Sequence, residues 1–170
     1  MNRAVNITEI TSVLRLNRWM ESMAEFGDVD LFSVGKRLFD FLLAFAFIVS
    51  FLPFYALLAA ITFASSRGPV IYSQERVGKN GKRLTVYKFR SMVTDAEKQG
   101  PLLAVPNDPR ITAWGRFMRR YKLDETPQFF NVLFGSMSVV GPRPERKFWK
   151  LQIEEQSPQY SRLSYLKPGI

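Results

Sequence analysis

Residues Phe41–Ala64 read FLLAFAFIVSFLPFYALLAAITFA, 24 consecutive residues without a charge. About 20 apolar residues are enough to cross a bilayer, so length alone allows a spanning helix. The flanks argue against one. Lys36 and Arg37 precede the run, and Arg67, Arg76, Lys79, Lys82 and Arg83 follow it. Basic residues beside membrane segments favour the cytoplasmic side, so both ends read as cytoplasmic. Pro53 lies near the middle, where it removes a backbone hydrogen bond and clashes with the preceding turn. Two readings stay open: a helix that enters the membrane, turns near Ser50–Pro53 and returns, or a single kinked transmembrane helix.

Charge is distributed unevenly around this run. Residues 1–65 carry 5 basic and 6 acidic side chains, net −1, while residues 66–170 carry 19 and 9, net +10. A basic excess of that size attracts nucleic acid, anionic lipid headgroups or a phosphorylated small molecule, and the neighbouring apolar run favours the last two. The chain has neither Cys nor His. That removes disulfides, thiolate nucleophiles, imidazole bases and the usual zinc sites, leaving carboxylates, Lys, Arg, Tyr and hydroxyls for any chemistry. No early apolar core with a cleavage site marks a secretory signal, which places the polar part in the cytoplasm.

At 170 residues the chain suits one modest domain plus a membrane element. Ile7, Ile10, Val13, Leu14, Met20 and Phe26 recur at helical spacing, with Gly27 able to close an amphipathic helix. Its stripe could lie on a membrane or pair two copies into a homodimer. Glu25–Asp30 reads as linker. Beyond the apolar run, Val70–Ser73 and Leu84–Phe89 read as strands around Gly78-Lys79-Asn80-Gly81, since Asn-Gly tolerates positive φ. A short helix is expected near Thr94–Gln99, a loop over Gly100–Asp108, and a helix over Thr112–Tyr121 carrying Arg116, Arg119 and Arg120.

The candidate chemistry follows. Asp124 and Glu125 are adjacent carboxylates before Thr126-Pro127, with Thr126 an expected N-cap, Pro127 at the first helical position and Gly135 ending the helix. A helix start favours phosphate, and a carboxylate there can attack phosphorus or hold a divalent cation; alternatively, the acids only complement the dipole and pair with arginines. Pro142 and Pro144 fix the backbone around Arg143, whose guanidinium suits a nucleotide phosphate or simply an exposed turn. Lys88 and Arg90 close the second strand, placed for phosphate or for water.

Lys36-Arg37…Asp40, Tyr87-Lys88-Phe89-Arg90-Ser91-Met92, Leu123-Asp124-Glu125-Thr126-Pro127-Gln128, Phe130-Asn131-Val132-Leu133, Gly141-Pro142-Arg143-Pro144 and Lys167-Pro168-Gly169-Ile170 stand in order along the chain. This series, spanning about Ser33 to Ile170, resembles the bacterial sugar transferases, the monotopic phosphoglycosyl transferases. The resemblance implies a mostly α-helical chain with a small β-hairpin, a membrane re-entrant helix and a compact cytoplasmic catalytic domain. The expected divisions are 1–32, N-terminal helix and linker; 33–66, re-entrant helix bending at Ser50 and Pro53; and 67–170, the transferase domain.

The activity implied is transfer of a sugar-1-phosphate from a UDP-sugar to undecaprenyl phosphate. It would release UMP through a phosphosugar on Asp124 and form the first membrane step of glycan assembly at the cytoplasmic face of the inner membrane. Glu125 would support metal or proton transfers, Mg²⁺ held at Asp124 and Glu125 would offset the diphosphate, and Arg143 would belong to the nucleotide-binding Pro-Arg-Pro element. Lys88 and Arg119 match basic positions lining the family's site. Two departures stand out: Leu52 rather than Ser precedes Pro53, and the family's further stretch after Pro-Gly-Ile, with its phosphate-binding Asn-Gly-Arg, is not in this sequence. The second keeps open a rival reading, an inactive truncated member serving as a membrane scaffold. A membrane-anchored nucleic-acid binder would be the other rival, and no recognised motif supports it.

Overall fold

A computed structural model describes residues 31–98, 100, 104, 105 and 108–170. The chain divides after Lys36 into two units. Of the first, the described residues are 31–36, the opening turns of helix α1 (Leu31–Ser65). The N-terminal amphipathic helix, the acidic linker and the homodimer contact expected there lie outside the described residues.

After α1 come β1 (Ile71–Val77), β2 (Arg83–Phe89), α2 (Ala113–Arg120), α3 (Gln128–Leu133) and α4 (Lys147–Gln156). Tight 3₁₀ turns occupy Lys79–Gly81, Leu123–Glu125 and Pro158–Tyr165. The described chain is therefore mostly helical around one small antiparallel hairpin, as expected from sequence.

Strands β1 and β2 pair from Ile71↔Phe89 to Val77↔Arg83. Asn80 and Gly81 take φ of 56° and 73° in the connection, the left-handed geometry that Asn-Gly adopts at little cost. β1 continues four residues beyond the expected Ser73, because Gln74–Val77 pair despite their polarity. Alternation along β2 sends Leu84 and Val86 inward, and Lys88 follows them on the same face.

One stripe of α1 packs on this domain along the helix. Arg37 donates to the carbonyls of Val132 (2.6 Å) and Leu133 (2.7 Å). Three residues on, buried Asp40 accepts from Ser138 Oγ (3.1 Å) and the Val139 amide (3.0 Å). Phe47 stacks on Phe129 with centroids 3.8 Å apart, and Tyr55 Oη donates to the Thr126 carbonyl (2.9 Å). Near the far end, Trp114 Nε1 donates to Thr62 Oγ1 (3.1 Å). From Arg37 to Thr62 a helix advances roughly 38 Å at 1.5 Å per residue. The contacts fall three, seven or eight residues apart, near whole multiples of the 3.6-residue turn, as one helical face requires.

Both core clusters draw on α1. Ala44 joins Leu84, Val86, Val132 and Met137, while Leu58 joins Phe89 and Met118. The other faces of α1 leave large apolar side chains exposed, among them Phe39, Leu42, Phe45, Leu52, Phe54 and Phe63. By length and composition this helix could cross a membrane. It stays helical through Ser50–Pro53, where the sequence placed the bend; both residues lie on the exposed face.

Three local expectations change. Residues 94–98 form a turn rather than a helix, with Asp95 at φ 68°. Thr126 does not cap α3: its hydroxyl donates back to Leu123 O (2.8 Å), and Pro127 occupies the cap. The carboxylates consequently sit on their own 3₁₀ turn, separate from a helix of only six residues. Thr112 does cap α2, accepting from the Gly115 amide (2.9 Å), and Gly135 at φ 86° follows α3 as the C-terminal glycine.

Arg37→Leu should lower the unfolding free energy of the detergent-solubilised chain by about 2 kcal/mol, since two carbonyls lose a charged donor. Leu38→Ala, on the exposed face, should shift it by less than about 0.5 kcal/mol. Equal losses in denaturant titrations would contradict this assignment of faces.

Candidate active site

Lys122 at φ 58° turns the chain out of α2 and presents Leu123–Glu125 as a tight turn. Asp124 is 6% exposed, and its Oδ1 is buried with no hydrogen-bond partner. An unpaired buried acceptor costs roughly 1–3 kcal/mol, so its retention calls for an explanation. Burial, and secondarily the negative charge of Glu125, hold the Asp124 carboxyl above the ordinary aspartate range despite Lys88 and Arg119 nearby.

Glu125 stands in the opposite state. Its Oε1 accepts from Lys88 Nζ (2.7 Å) and Arg143 Nη2 (3.3 Å). Burial pushes this carboxyl up, but the Lys88 hydrogen bond and charge, with Arg143, outweigh it and leave the group below the ordinary glutamate range. Lys88 is itself lowered by burial, against the opposing pull of Glu125. Two adjacent carboxylates are thus driven apart, a pattern that separates chemical roles.

Of the residues singled out from sequence, Asp124, Glu125, Lys88 and Arg143 come together directly. Arg119 is close enough to pull the Asp124 carboxyl down electrostatically and is steadied by donating from Nε to Ser91 Oγ (2.8 Å). Pro142 and Pro144 flank Arg143 as expected, each with its carbonyl engaged: Pro142 O by the Gly169 amide (2.9 Å) and Pro144 O by Arg76 Nη1 (3.2 Å). Arg90 is elsewhere. Its buried guanidinium donates to Ser66 Oγ (3.1 Å), to the Ser66 carbonyl and to Pro69 O, locking the exit of α1 instead of meeting a phosphate.

Several positioning groups escaped the sequence reading. Asn131 clips α3 to β2, accepting from the Tyr87 amide (3.3 Å) and donating to Thr85 O (2.7 Å). Tyr55 anchors the segment after the carboxylates through its donation to Thr126 O; its signal was one of three hydroxyls, with Ser50 and Thr62, in the uncharged run. Gly141 fits where a Cβ would lie 2.3 Å from Lys167 O, so the Gly141-Pro142 and Pro168-Gly169 motifs interlock. Ser138 pairs with Gly169 across a parallel bridge there.

Among the described residues no cluster of three or more metal-ligating side chains occurs. Two carboxylates, one with an orphaned oxygen, nevertheless fit a hard divalent cation that takes its remaining ligands from phosphate and water.

A family model described as bacterial sugar transferase matches residues 31–170. The chain belongs to the bacterial sugar transferases. Among relatives of this sugar transferase, an Aeromonas hydrophila protein named UDP-N-acetylgalactosamine-undecaprenyl-phosphate N-acetylgalactosaminephosphotransferase is 39% identical over 140 residues, 82% of this chain and 33% of that protein. A Klebsiella pneumoniae protein named UDP-glucose:undecaprenyl-phosphate glucose-1-phosphate transferase is 42% identical over 137 residues, covering 81% and 30%. A Bacillus subtilis relative is 44% identical over 126 residues, covering 74% and 70%. The sugar transferase thus spans about a third of the length of the first two relatives.

Because folded Asp124 holds its proton more tightly than the unfolded chain, its contribution to stability is complete below the ordinary aspartate value and is lost as pH rises through the raised one. Glu125→Gln should lower the Asp124 titration midpoint by removing a neighbouring negative charge, and Lys88→Met should raise it. Carboxyl ¹³C NMR of Asp-labelled protein, assigned with Asp124→Asn, checks both signs; shifts in one common direction would contradict them.

Proposed function

We propose that the chain transfers a sugar-1-phosphate from a UDP-sugar to undecaprenyl phosphate at the cytoplasmic face of the bacterial inner membrane, as an early step in polysaccharide assembly. The observation that carries this reading is the contrast within the dyad: Asp124 keeps a buried, unpartnered oxygen, while its neighbour is clamped by Lys88 and Arg143. The names of the family relatives support the reaction class and both substrates.

In the first step a carboxylate oxygen of Asp124 forms a bond to the sugar-bearing phosphorus of the donor. The bond from that phosphorus to the bridging oxygen breaks, and UMP leaves with the electron pair. In the second, an oxygen of the lipid phosphate attacks the same phosphorus, and the bond to Asp124 breaks, giving the polyprenyl diphosphate sugar and free carboxylate. Poor solvation makes an ionised Asp124 a stronger nucleophile than an exposed aspartate. Lys88, Arg119 and Arg143 supply positive charge for the diphosphate and for the negative charge of the leaving UMP. Mg²⁺, held by Asp124 and Glu125, would offset further phosphate charge when bound.

The exposed apolar faces of α1 support a membrane arrangement. A helix crossing the bilayer would have to give up the hydrogen bonds that Arg37, Asp40, Tyr55 and Thr62 make to the domain, at a cost of several kcal/mol per group left unsatisfied in hydrocarbon. A helix seated in one leaflet, with its exposed aromatic faces in lipid and its packed stripe on the domain, avoids that. Both ends of the helix then lie on the cytoplasmic side, whether the chain dips and returns at Pro53 or lies shallow.

UMP release should be measured with purified chain, Mg²⁺, undecaprenyl phosphate and a panel of UDP-sugars. Turnover is expected with at least one donor, and Asp124→Asn should reduce it by about a thousandfold or more, as loss of a nucleophile does, while membrane insertion is retained. Turnover unaffected by Asp124→Asn would remove Asp124 from the mechanism, and no turnover with any donor would overturn the proposed activity for this chain.

A further inference from the structure

Arg76 makes no hydrogen bond or ion pair to Asp124 or Glu125 among the described residues, but it binds the two residues that follow Arg143. Its Nε donates to Gln74 Oε1 (2.8 Å), and Nη2 donates to the same oxygen, so the side chain is folded back along β1 and held flat. From there Nη1 donates to Pro144 O (3.2 Å) and pairs with Glu145 Oε2 (3.6 Å). The Val77 amide donates to Glu145 O (2.8 Å), extending the hairpin edge onto the same segment. The guanidinium side chain is only 15% exposed. On the other flank, Pro142 O is fixed by the Gly169 amide and Gly141 is wedged against Lys167 O.

Arg143 therefore stands between two anchored residues, with its own side chain 58% exposed and reaching Glu125. A long exposed arginine loses much rotamer freedom when fixed. Fixing the backbone on both sides restricts the directions in which the guanidinium can point. We infer that Arg76 is a positioning residue for Arg143: it pins Pro144 and Glu145 to the end of β1 and so aims the Arg143 guanidinium at the dyad. A planar fork suits this task, since it can bind Gln74 and Pro144 with different nitrogens at once. This inference rests on the proposed role of Arg143 at the reacting phosphate, and its test separates the two.

The test is a double-mutant cycle in the full chain, read as kcat/KM for UMP release, together with amide hydrogen exchange over residues 141–149. Arg76→Gln should lower kcat/KM roughly 10- to 100-fold, the scale on which misplacement of a reacting group costs rate. In an Arg143→Gln background the same change should have an effect within about twofold, because the residue it acts through is gone. Exchange over 141–149 should rise in Arg76→Gln and stay unchanged in Arg143→Gln. An equal loss in both backgrounds, or unchanged exchange in Arg76→Gln, overturns the inference. If the parent chain shows no turnover, the proposed activity fails and the exchange result alone decides the positioning. Should Arg76→Gln not fold, Gln74→Leu, which leaves Arg76 in place and removes its anchor, is carried through the same cycle under the same criteria.

Discussion

The structure depends on burying one stripe of a very apolar helix against a basic domain. Arg37 and Asp40 anchor one end, where they meet groups of α3 and the following turn. Arg37 covers the carbonyls at the end of α3, and Asp40 receives the amide and hydroxyl of residues 138 and 139. Helix C-termini favour a cation for the same electrostatic reason. Farther along, Phe47 and Tyr55 seat the start of α3 and the segment behind the dyad. The elements carrying Asp124, Asn131 and the Gly141–Pro144 motif are thereby referred to a single rod.

Within that frame the site is built from inequality. Asp124 and Glu125 are adjacent and chemically similar, yet the tight turn leaves one facing an unpaired, buried environment and the other facing two cations. Alternation along β2 places Lys88 on the inner face beside Val86, so the cation arrives from the hydrophobic side and is itself partly desolvated. The resulting charge pattern attracts anions.

Much of this was legible in the sequence where chemistry is local. Asn80-Gly81 fixed the hairpin connection, Thr112 the start of α2 and Gly135 the end of α3, since each depends on its own backbone preferences. The ordered motifs also pointed to Asp124, Glu125, Lys88 and Arg143. What local rules missed depends on distant partners. Thr126 has the composition of an N-cap but takes a helical conformation and bonds backward, which moves the carboxylates onto a separate turn. Arg90 resembles Lys88 in composition and differs only in what lies opposite, Ser66 and Pro69 rather than Glu125. Arg76 sits in a polar strand that no hydrophobic pattern marks, and its importance comes from Pro144, 68 residues away.

In the proposed arrangement both ends of α1 lie on the cytoplasmic side of the membrane. Because the chain has no cysteine, Ser33→Cys and Arg67→Cys can be introduced singly and labelled with a membrane-impermeant maleimide in intact cells and in inside-out vesicles. Labelling of both positions only in the inside-out vesicles is the result predicted. Labelling of one position from the outside and the other from the inside would show a spanning helix and contradict the account.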